Sequence, residues 1–257
     1  TRLGYEVIGM EDGTDGLLSR PMRYKVLTRE MFDASVMRLG GTILGTPNTS
    51  SKNNPFRFLM PDGSLKDRSD EIIAGVKELG LDAVIGIGGD GSMNILRKLA
   101  QRGNFNLVGI PKTIDNDVGE TERSIGFETA AYVATEALDR LQPTAASHDR
   151  VMVLEVMGRD AGNIAMTAGI AGGADVILIP EIPYNIDKVA EKIKTIRREE
   201  GRNFALVVVS EAVKTTEGKA LQVEHVGGEK RYGGISHYLG ERIAAKTGFE
   251  TRVTVLG

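Results

Sequence analysis

Residues 83–92 read AVIGIGGDGS, an apolar run that passes through a glycine-rich turn into a helical pattern over residues 93–102. A short apolar run, a tight turn and an amphipathic helix together predict a βα unit. The alternation continues, with apolar runs at 106–110, 150–157, 175–180, 204–210 and 251–256 and helical patterns at 68–80, 127–141, 161–171, 186–200 and 235–246. Because continuously apolar strands are buried on both faces, the sequence predicts an α/β fold with two lobes, each a mainly parallel sheet sandwiched by helices.

The composition is typical of a soluble globular protein. Of the 257 residues, 41% are hydrophobic and 26% are charged, and the formal net charge is −3. A chain without excess basic charge fits nucleic acid poorly, so we expect no nucleic-acid partner. The absence of cysteine excludes disulfides and thiolate metal sites, and no apolar run approaches the ~20 residues that a membrane-spanning helix needs. We therefore expect a cytoplasmic protein without a membrane partner.

Two further expectations concern local structure and the ends of the chain. Residues 28–39 predict a helix that begins at the capping residue Thr28 and ends at two glycines. The chain begins without an initiator methionine and stops where the strand at 251–256 should pass into a loop. We expect both ends to be cut.

The turn over residues 88–92, GGDGS, predicts a phosphate site. Its glycines let a ligand approach the backbone, and the free N–H groups at the start of the following helix attract anions. The carboxylate of Asp90 would repel a phosphate unless a divalent cation lay between them, and Mg²⁺ commonly bridges a carboxylate and phosphate oxygens. The alternative is a tight structural turn with a capping aspartate.

Residues 111–117, PKTIDND, crowd polar side chains directly after a strand. Asp115 and Asp117 are two positions apart, so each should perturb the pKa of the other. A kinase needs a base near the nucleophilic hydroxyl together with cations on the phosphates, and these residues could supply the base. The alternative is a turn in which Asn and Asp side chains bond to the backbone.

Charged side chains stand at or near the ends of later strands. Arg159 follows a strand, and Gly158 before it allows a ligand to come close; arginine is the natural fork for a sugar phosphate. Glu211 follows a buried run, where a carboxylate could hold sugar hydroxyls. Arg252 lies inside a strand-like segment and needs a partner. The alternatives are a surface arginine beside a turn and a solvated glutamate.

Five features occur in one order along the chain: GGDGS at 88–92, PKTIDND at 111–117, SHDRVMVLEVMGR at 147–159, Glu211 after LVVVS, and ETRVTVLG at 250–257. In this order they resemble the phosphofructokinase family over nearly the whole chain. TIDND and MGR are more specific than GGDG, which NAD kinases and lipid kinases share. The resemblance implies Mg²⁺-dependent phosphoryl transfer from ATP to the 1-hydroxyl of fructose 6-phosphate, giving fructose 1,6-bisphosphate in glycolysis.

The resemblance also implies a role for each matching residue of the donor site and the catalytic turn. Asp115 matches the base that takes the proton from the sugar hydroxyl, Asp117 the neighbouring carboxylate, and Thr113 the hydroxyl beside the transferred phosphoryl group. The residues that match nucleotide-phosphate contacts, with Asp90 also the Mg²⁺ residue, are Gly89, Asp90, Gly91, Ser92 and Lys112.

The sugar site implied by the resemblance draws on two subunits. Met157, Gly158, Arg159 and Glu211 match contacts to fructose 6-phosphate from one subunit. Arg150 and Arg252 match arginines that reach the sugar phosphate across a subunit interface, which implies self-association to a dimer or tetramer. We place the donor lobe at residues 1–126 and the fructose 6-phosphate lobe at 127–257.

The phosphoryl donor is predicted from positions 91 and 112. In the family that the chain resembles, pyrophosphate users carry Asp and Lys there and common bacterial ATP users carry Gly at both, whereas this chain has Gly91 and Lys112. Because Gly91 leaves room for an α-phosphate, we predict ATP. Asn48 and Ile95 depart from the ATP-dependent pattern, so pyrophosphate remains an alternative phosphoryl donor. A non-catalytic sugar-phosphate-binding paralogue is the alternative from another class, and Asp115 argues against it.

Overall fold

The computed structural model describes residues 3–46, 57–60, 63–199, 201–224 and 230–256. The chain forms two compact units, Thr1–Ile110 and Pro111–Gly257. The motif at 111–117 therefore belongs to the second unit, together with the candidate sugar residues. The assignment of the donor to residues 1–126 and of the sugar to 127–257 stays a prediction.

The first unit contains two small antiparallel strand pairs and a βα unit. Its elements are β1 (Ile8–Met10), α1 (Thr14–Leu18), β2 (Tyr24–Val26), β3 (Arg57–Leu59), β4 (Leu65–Asp67), α2 (Ser69–Glu78), β5 (Ala83–Gly88), α3 (Asp90–Gly103) and the first part of β6 (Asn106–Thr113). Strands β1 and β2 pair antiparallel, as do β3 and β4, and β5 lies beside β6. Leu17, Ile72, Val76 and Leu99 form the centre of its core.

The predicted strand–turn–helix at 83–102 is confirmed by β5 and α3. A Cβ atom added at Gly86 would lie 2.2 Å from Leu96 Cδ1, so the missing side chain lets α3 pack closely on β5. The helix ends at Asn104, which takes the left-handed conformation with φ 51°. The glycine-rich turn is therefore fixed between two packed elements.

The helix predicted over 28–39 is wrong. Two separate 3₁₀ turns occupy Arg29–Met31 and Val36–Arg38 instead. Between them, Asp33 Oδ1 accepts the backbone N–H of Ser35 at 2.9 Å, a local bond that competes with a continuous helix. No residue of either turn is buried, so an α-helix here would lack the tertiary packing on which short helices depend.

The second unit is built on a wholly parallel sheet in the order β13-β8-β10-β9. Its elements after β6 are β7 (Ile125–Gly126), α4 (Phe127–Ser147), β8 (Val151–Val156), α5 (Asn163–Ala171), β9 (Val176–Leu178), α6 (Ile186–Glu199), β10 (Ala205–Ser210), β11 (Gln222–Glu224), β12 (Lys230–Tyr232), α7 (Ile235–Thr247) and β13 (Thr251–Leu256). The end of β6 pairs in parallel with β7, and β11 and β12 form an antiparallel pair.

Helices cover both faces of this sheet, as the continuously apolar strands predicted. On one face, Val153 and Val207 pack with buried residues of α6 and α7. On the other face, Leu154 and Val208 pack with buried residues of α4 and α5. Every residue of β8 and β10 is buried. The predicted α/β fold is therefore confirmed.

The helix predicted over 127–141 continues to Ser147, through Pro143. A proline cannot donate a hydrogen bond to the carbonyl four residues earlier, that of Asp139. Both residues are exposed, so water can satisfy this carbonyl. The last turn is held by Ala145, which is fully buried against Met152 and Leu206. Over the described part of the chain, no helix is long and apolar enough to cross a membrane.

Candidate active site

The carboxyl ends of the parallel strands bring Glu211 beside the turn after β8. Ser210 lies opposite Val156 in the sheet register, and the backbone N–H of Glu211 donates to the carbonyl of Val156 at 2.9 Å. Glu211 Oε1 accepts the N–H of Gly158 at 3.3 Å and that of Arg159 at 2.8 Å. The carboxylate thus braces the backbone of this turn.

The turn after β8 needs this bracing because its backbone is unusual. Gly158 has φ 144°, and a Cβ atom there would lie 2.5 Å from the carbonyl oxygen of Ala161. Arg159 has φ 50°, a left-handed conformation that costs a residue with a side chain about 1–2 kcal/mol. The side chains of Met157 and Arg159 remain exposed, so both can meet a ligand.

Asp115 lies in a tight turn directly after β6. Its side chain is buried, with 8% of the residue exposed. Thr113 Oγ1 donates to Asp115 Oδ2 at 3.1 Å and accepts the backbone N–H of Asp115 at 3.2 Å. The predicted backbone-bonded turn is therefore present, and the hydroxyl of Thr113 that closes it also holds the carboxylate of Asp115. The role of Asp115 as a base stays a prediction. Asp117 is exposed.

The surroundings of Asp115 favour its protonated form. Burial is the main cause that raises the pKa of Asp115, and the negative charges of Asp117 and Asp160 raise it further. The hydrogen bond from Thr113 and the positive charge of Arg159 oppose this shift. The predicted effect of Asp117 is confirmed in direction, although burial is the larger cause. Burial also raises the pKa of Glu211, to which the charge of Asp115 contributes.

Two side chains around this turn, those of Asn163 and Ser124, were not predicted from the sequence. Asn163, the first residue of α5, donates through Nδ2 to the carbonyl oxygens of Asp115 and Asn116, both at 3.0 Å. Ser124 Oγ donates to the carbonyl of Thr113 at 2.8 Å. The side chain of Asn116 accepts the N–H of Ser124 at 2.8 Å. No spacing pattern announces bonds between residues so far apart in the sequence.

Tyr232, at the end of β12, also reaches the turn after β8. Its hydroxyl donates to Asp160 Oδ1 at 2.6 Å, and this bond raises the pKa of Tyr232. The charges of Glu211 and Arg159 act on the same hydroxyl. The strand pair β11–β12 is thereby tied to the turn that carries Arg159.

Arg150 and Arg252 lie at the opposite edge of the sheet from Arg159. Both pair with Glu250 Oε1, at 3.0 Å and 2.6 Å. The partner that Arg252 was expected to need is therefore Glu250. The two arginines lower the pKa of Glu250, and the hydrogen bond from Arg150 is the largest cause. Arg150 Nε is buried without a hydrogen-bond partner among the described residues. Because the intervening strand rises by about 3.3 Å per residue, roughly 20 Å separates the two edges. One copy of the chain does not bring these two arginines to Arg159.

The glycine-rich turn lies in the first unit. Gly89 is the N-cap of α3, no side chain caps the helix, and the exposed residues Asp90, Gly91 and Ser92 form the first helical turn. The alternative in which Asp90 caps the helix is therefore not found. A Cβ atom at Gly91 would meet nothing within 4 Å, so there is open space beside the turn. The backbone is that of an anion site at a helix N-terminus.

Asp90 is suited to hold a cation together with a phosphate. Its carboxylate is exposed, and among the described residues it has no hydrogen-bond or ion-pair partner that would compete for it. The described ranges contain no group of three or more His, Asp or Glu residues that could hold a metal ion. This donor set fits Mg²⁺, which commonly takes one or two protein carboxylates and receives its other ligands from phosphates and water.

The remaining predicted donor residues have separate settings. Lys112 is exposed on β6, opposite Ile125 of β7 in the register. Ile95, whose departure from the ATP-dependent pattern favoured pyrophosphate as the donor, packs against the buried core of the first unit. Asn48 lies outside the described residues.

The fold and these sites define an α/β protein with features that a phosphoryl-transfer enzyme needs: a carboxylate held by hydrogen bonds, exposed arginines and an uncapped helix N-terminus. Residues 1–257 match the family model described as phosphofructokinase. The chain belongs to the phosphofructokinase family. The family predicted from the motifs is thereby confirmed.

Curated relatives carry the same family name. The ATP-dependent 6-phosphofructokinase 1 of Synechocystis sp. is 62% identical over 254 residues, which cover 99% of this chain and 69% of that protein. The protein of the same name from Nostoc sp. is 60% identical, with the same 99% and 69% coverage. The chain therefore spans about two thirds of the length of these relatives.

Solved structures agree with the fold. A Pichia pastoris phosphofructokinase in the T-state has a TM-score of 0.79 at 27% identity, over 99% of this chain and 26% of that one. A pyrophosphate-dependent phosphofructokinase from Marinobacter aquaeolei has a TM-score of 0.67 at 25% identity, over 97% of this chain and 59% of that one. Because ATP-dependent and pyrophosphate-dependent members share the fold, the fold does not choose the donor.

Proposed function

We propose that the protein transfers the terminal phosphoryl group of ATP to the 1-hydroxyl of fructose 6-phosphate, as a glycolytic 6-phosphofructokinase. The observation that carries the proposal is the buried, hydrogen-bonded carboxylate of Asp115 beside the turn of Arg159. The curated relatives named ATP-dependent 6-phosphofructokinase support the same activity and donor. The predicted cytoplasmic location stays a prediction.

Asp115 is the proposed general base. Burial shifts the pKa of Asp115 upwards, in the direction of neutral pH. A general base is most effective when its pKa lies near the pH at which the enzyme works. The hydrogen bond from the Thr113 hydroxyl occupies Oδ2 of Asp115, which leaves Oδ1 to face the sugar hydroxyl. Asp117, exposed two residues later, adds negative charge that keeps Asp115 basic. Thr113 is placed beside the transferred group by the resemblance.

Arg159 is the proposed ligand of the sugar phosphate within one subunit, with Met157, Gly158 and Glu211 lining the sugar. Its backbone N–H is held by Glu211 while its side chain stays exposed, so the guanidinium is presented from a fixed backbone. A guanidinium can bind a phosphate through two parallel charge-assisted hydrogen bonds. In the proposed arrangement the turn of Arg159 contacts the sugar, and the 1-hydroxyl of the sugar faces Asp115.

Arg150 and Arg252 are proposed to serve the sugar phosphate of a second subunit. Arg150 precedes β8 and Arg252 lies opposite Met152 near the start of that strand, whereas Arg159 follows its carboxyl end. Both arginines are therefore proposed to reach a bound sugar from another copy. Self-association to a dimer or tetramer follows from this proposal.

ATP is the proposed donor, bound at Gly89, Gly91, Ser92 and Lys112. The open space at Gly91 suits a donor that extends beyond its two terminal phosphates. Asp90 would hold Mg²⁺, which neutralises phosphate charge when bound and so lowers the barrier to transfer. Ile95 is partly buried and packs against the core of the first unit, which weakens the reason for considering pyrophosphate from that residue.

Turnover of the full-length protein tests the proposal. The assay would contain fructose 6-phosphate, Mg²⁺ and either ATP or pyrophosphate, and fructose 1,6-bisphosphate would be measured. We expect kcat/KM with ATP to exceed that with pyrophosphate. A preference for pyrophosphate would contradict the donor, and sugar-phosphate binding without turnover would support the non-catalytic alternative.

A further inference from the structure

Asn163 connects the turn after β6 to the start of α5. Its Nδ2 atom donates to the carbonyl oxygens of Asp115 and Asn116, at 3.0 Å in each case. A side-chain amide has two N–H donors, so this one group serves two consecutive carbonyls. The two bonds join segments that are 48 and 47 residues apart in the sequence.

The backbone held by Asn163 is also bonded to Ser124. Asn116 has φ 53°, a left-handed conformation that needs support from its neighbours. Ser124 is 4% exposed and supplies this support: its N–H donates to Asn116 Oδ1 and its hydroxyl to the carbonyl of Thr113, both at 2.8 Å. Asp115 therefore lies in a turn that is held by both Ser124 and Asn163.

Asn163 also has a fixed relation to Arg159, which lies four residues earlier. The turn between them is held by Glu211, which accepts the N–H of Arg159 at 2.8 Å. At its other end, Glu181 Oε1 accepts the N–H of Gly162 at 2.8 Å. The rigid segment from Arg159 to Asn163 thus joins the proposed phosphate ligand to the backbone of the proposed base.

We propose that Asn163 is a positioning residue that sets the distance between Asp115 and the 1-hydroxyl of a sugar bound at the turn of Arg159. This inference rests on the proposed function. A general base must lie about 2.6–3.2 Å from the proton donor, and a displacement of about 1 Å can reduce the rate ~100-fold. Asn163 acts through the backbone and does not touch the reacting atoms.

The test compares Asn163→Ala and Asn163→Asp with the control Asn203→Ala in the full-length protein. Asn203 is a matched control, because its Nδ2 atom also bonds twice, to the carbonyl of Ala146 at 3.0 Å and to Asp149. It lies before β10, at the opposite edge of the sheet. Asn163→Asp keeps the shape of the side chain and removes its N–H donors, so it leaves no cavity if Asn163→Ala folds poorly.

We expect kcat to fall about 10- to 100-fold in both Asn163 variants, while KM for fructose 6-phosphate and ATP changes less than about threefold. Asn203→Ala should keep kcat within about twofold of wild type, and all variants should unfold cooperatively. An active wild type with unchanged kcat in either folded Asn163 variant would overturn the positioning role, as would a loss confined to KM. An inactive wild type would instead contradict the proposed function itself.

Discussion

Glu211 Oε1 accepts the backbone N–H of Arg159 at 2.8 Å, so the carboxylate expected to hold sugar hydroxyls also holds the turn that carries the phosphate ligand. Arg159 takes a left-handed backbone, and a second bond from Gly158 to the same oxygen supports it. The position of the guanidinium therefore depends on a residue from the neighbouring strand.

We predict that Glu211→Ala raises KM for fructose 6-phosphate more than Glu211→Gln does. Alanine removes the acceptor for both backbone N–H groups, and hydrogen bonds to a charged group contribute about 1.5–3 kcal/mol, or roughly 10- to 100-fold in affinity. Glutamine keeps a carbonyl oxygen that can accept the same bonds. Steady-state kinetics with both variants would measure the difference. Equal KM values in the two variants would show that the bracing of Arg159 does not matter for binding.

The parallel sheet of the second unit could be predicted from the sequence because two of its strands are almost wholly apolar. β8 and β10 are apolar at every position except Glu155 and Ser210, and only strands buried on both faces have that pattern. The same kind of pattern wrongly predicts a helix over residues 28–39. Its residues are spaced as in a helix, but nothing in the described structure buries one face of the segment.

The candidate site was predictable where its residues follow one another in the sequence. Thr113 and Asp115 share one turn, and Gly158 and Arg159 share another. Asn163 and Tyr232 could not be found this way, since their bonds join separate elements and depend on how those elements pack. An isolated Asn or Tyr in a sequence carries no signal of such a contact.

Asp115→Asn is predicted to make the protein less active and more stable at neutral pH. The amide cannot take a proton, and removal of a general base typically costs about 10²–10⁴-fold in kcat. The oxygen of the amide can still accept the Thr113 hydrogen bond, while the buried negative charge is gone. Thermal unfolding and kcat measured on the same samples would check both halves of this prediction.

The pH dependence follows from the sign of the shift. The pKa of Asp115 is raised above its ordinary value of 3.8, so the folded state holds the proton more tightly than the unfolded state does. Stability from this group is therefore present below pH 3.8 and is lost as the pH rises through the higher, folded pKa. The Tm advantage of Asp115→Asn should accordingly be larger at pH 7 than near pH 4. An advantage that grows as the pH falls would mean that the pKa is lowered instead.

Mixed oligomers should reveal whether one sugar site uses two subunits. We predict that Arg159→Ala and Arg252→Ala each raise KM for fructose 6-phosphate, by about 1.5–3 kcal/mol of binding, and leave KM for ATP nearly unchanged. Because the two arginines lie at opposite edges of one sheet, mixing the variants under conditions that exchange subunits should restore some intact sites.

The control for this mixing is the pair Arg159→Ala and Glu211→Ala, whose side chains belong to the same edge of the sheet. That pair should not complement, since every mixed site still lacks one of the two. Low KM recovered in both mixtures, or in neither, would contradict the two-subunit site.

Gly91→Asp should change the choice of phosphoryl donor without disturbing the fold. A Cβ atom at position 91 meets nothing within 4 Å, and an acidic residue in the first turn of α3 suits the helix dipole. The aspartate would, however, place a carboxylate where the α-phosphate of ATP is proposed to lie. Like charges about 4 Å apart repel by roughly 4 kcal/mol at an effective dielectric of 20, which corresponds to a loss of about 10³-fold in kcat/KM for ATP. Pyrophosphate has no group at that place, so we expect its use as a donor to be unaffected.

The control is Gly91→Asn, which is similar in size to Gly91→Asp but uncharged and so separates the effect of charge from that of bulk. It should lose much less ATP activity. A Gly91→Asp enzyme that still uses ATP as well as the wild type would show that the α-phosphate does not lie beside this turn.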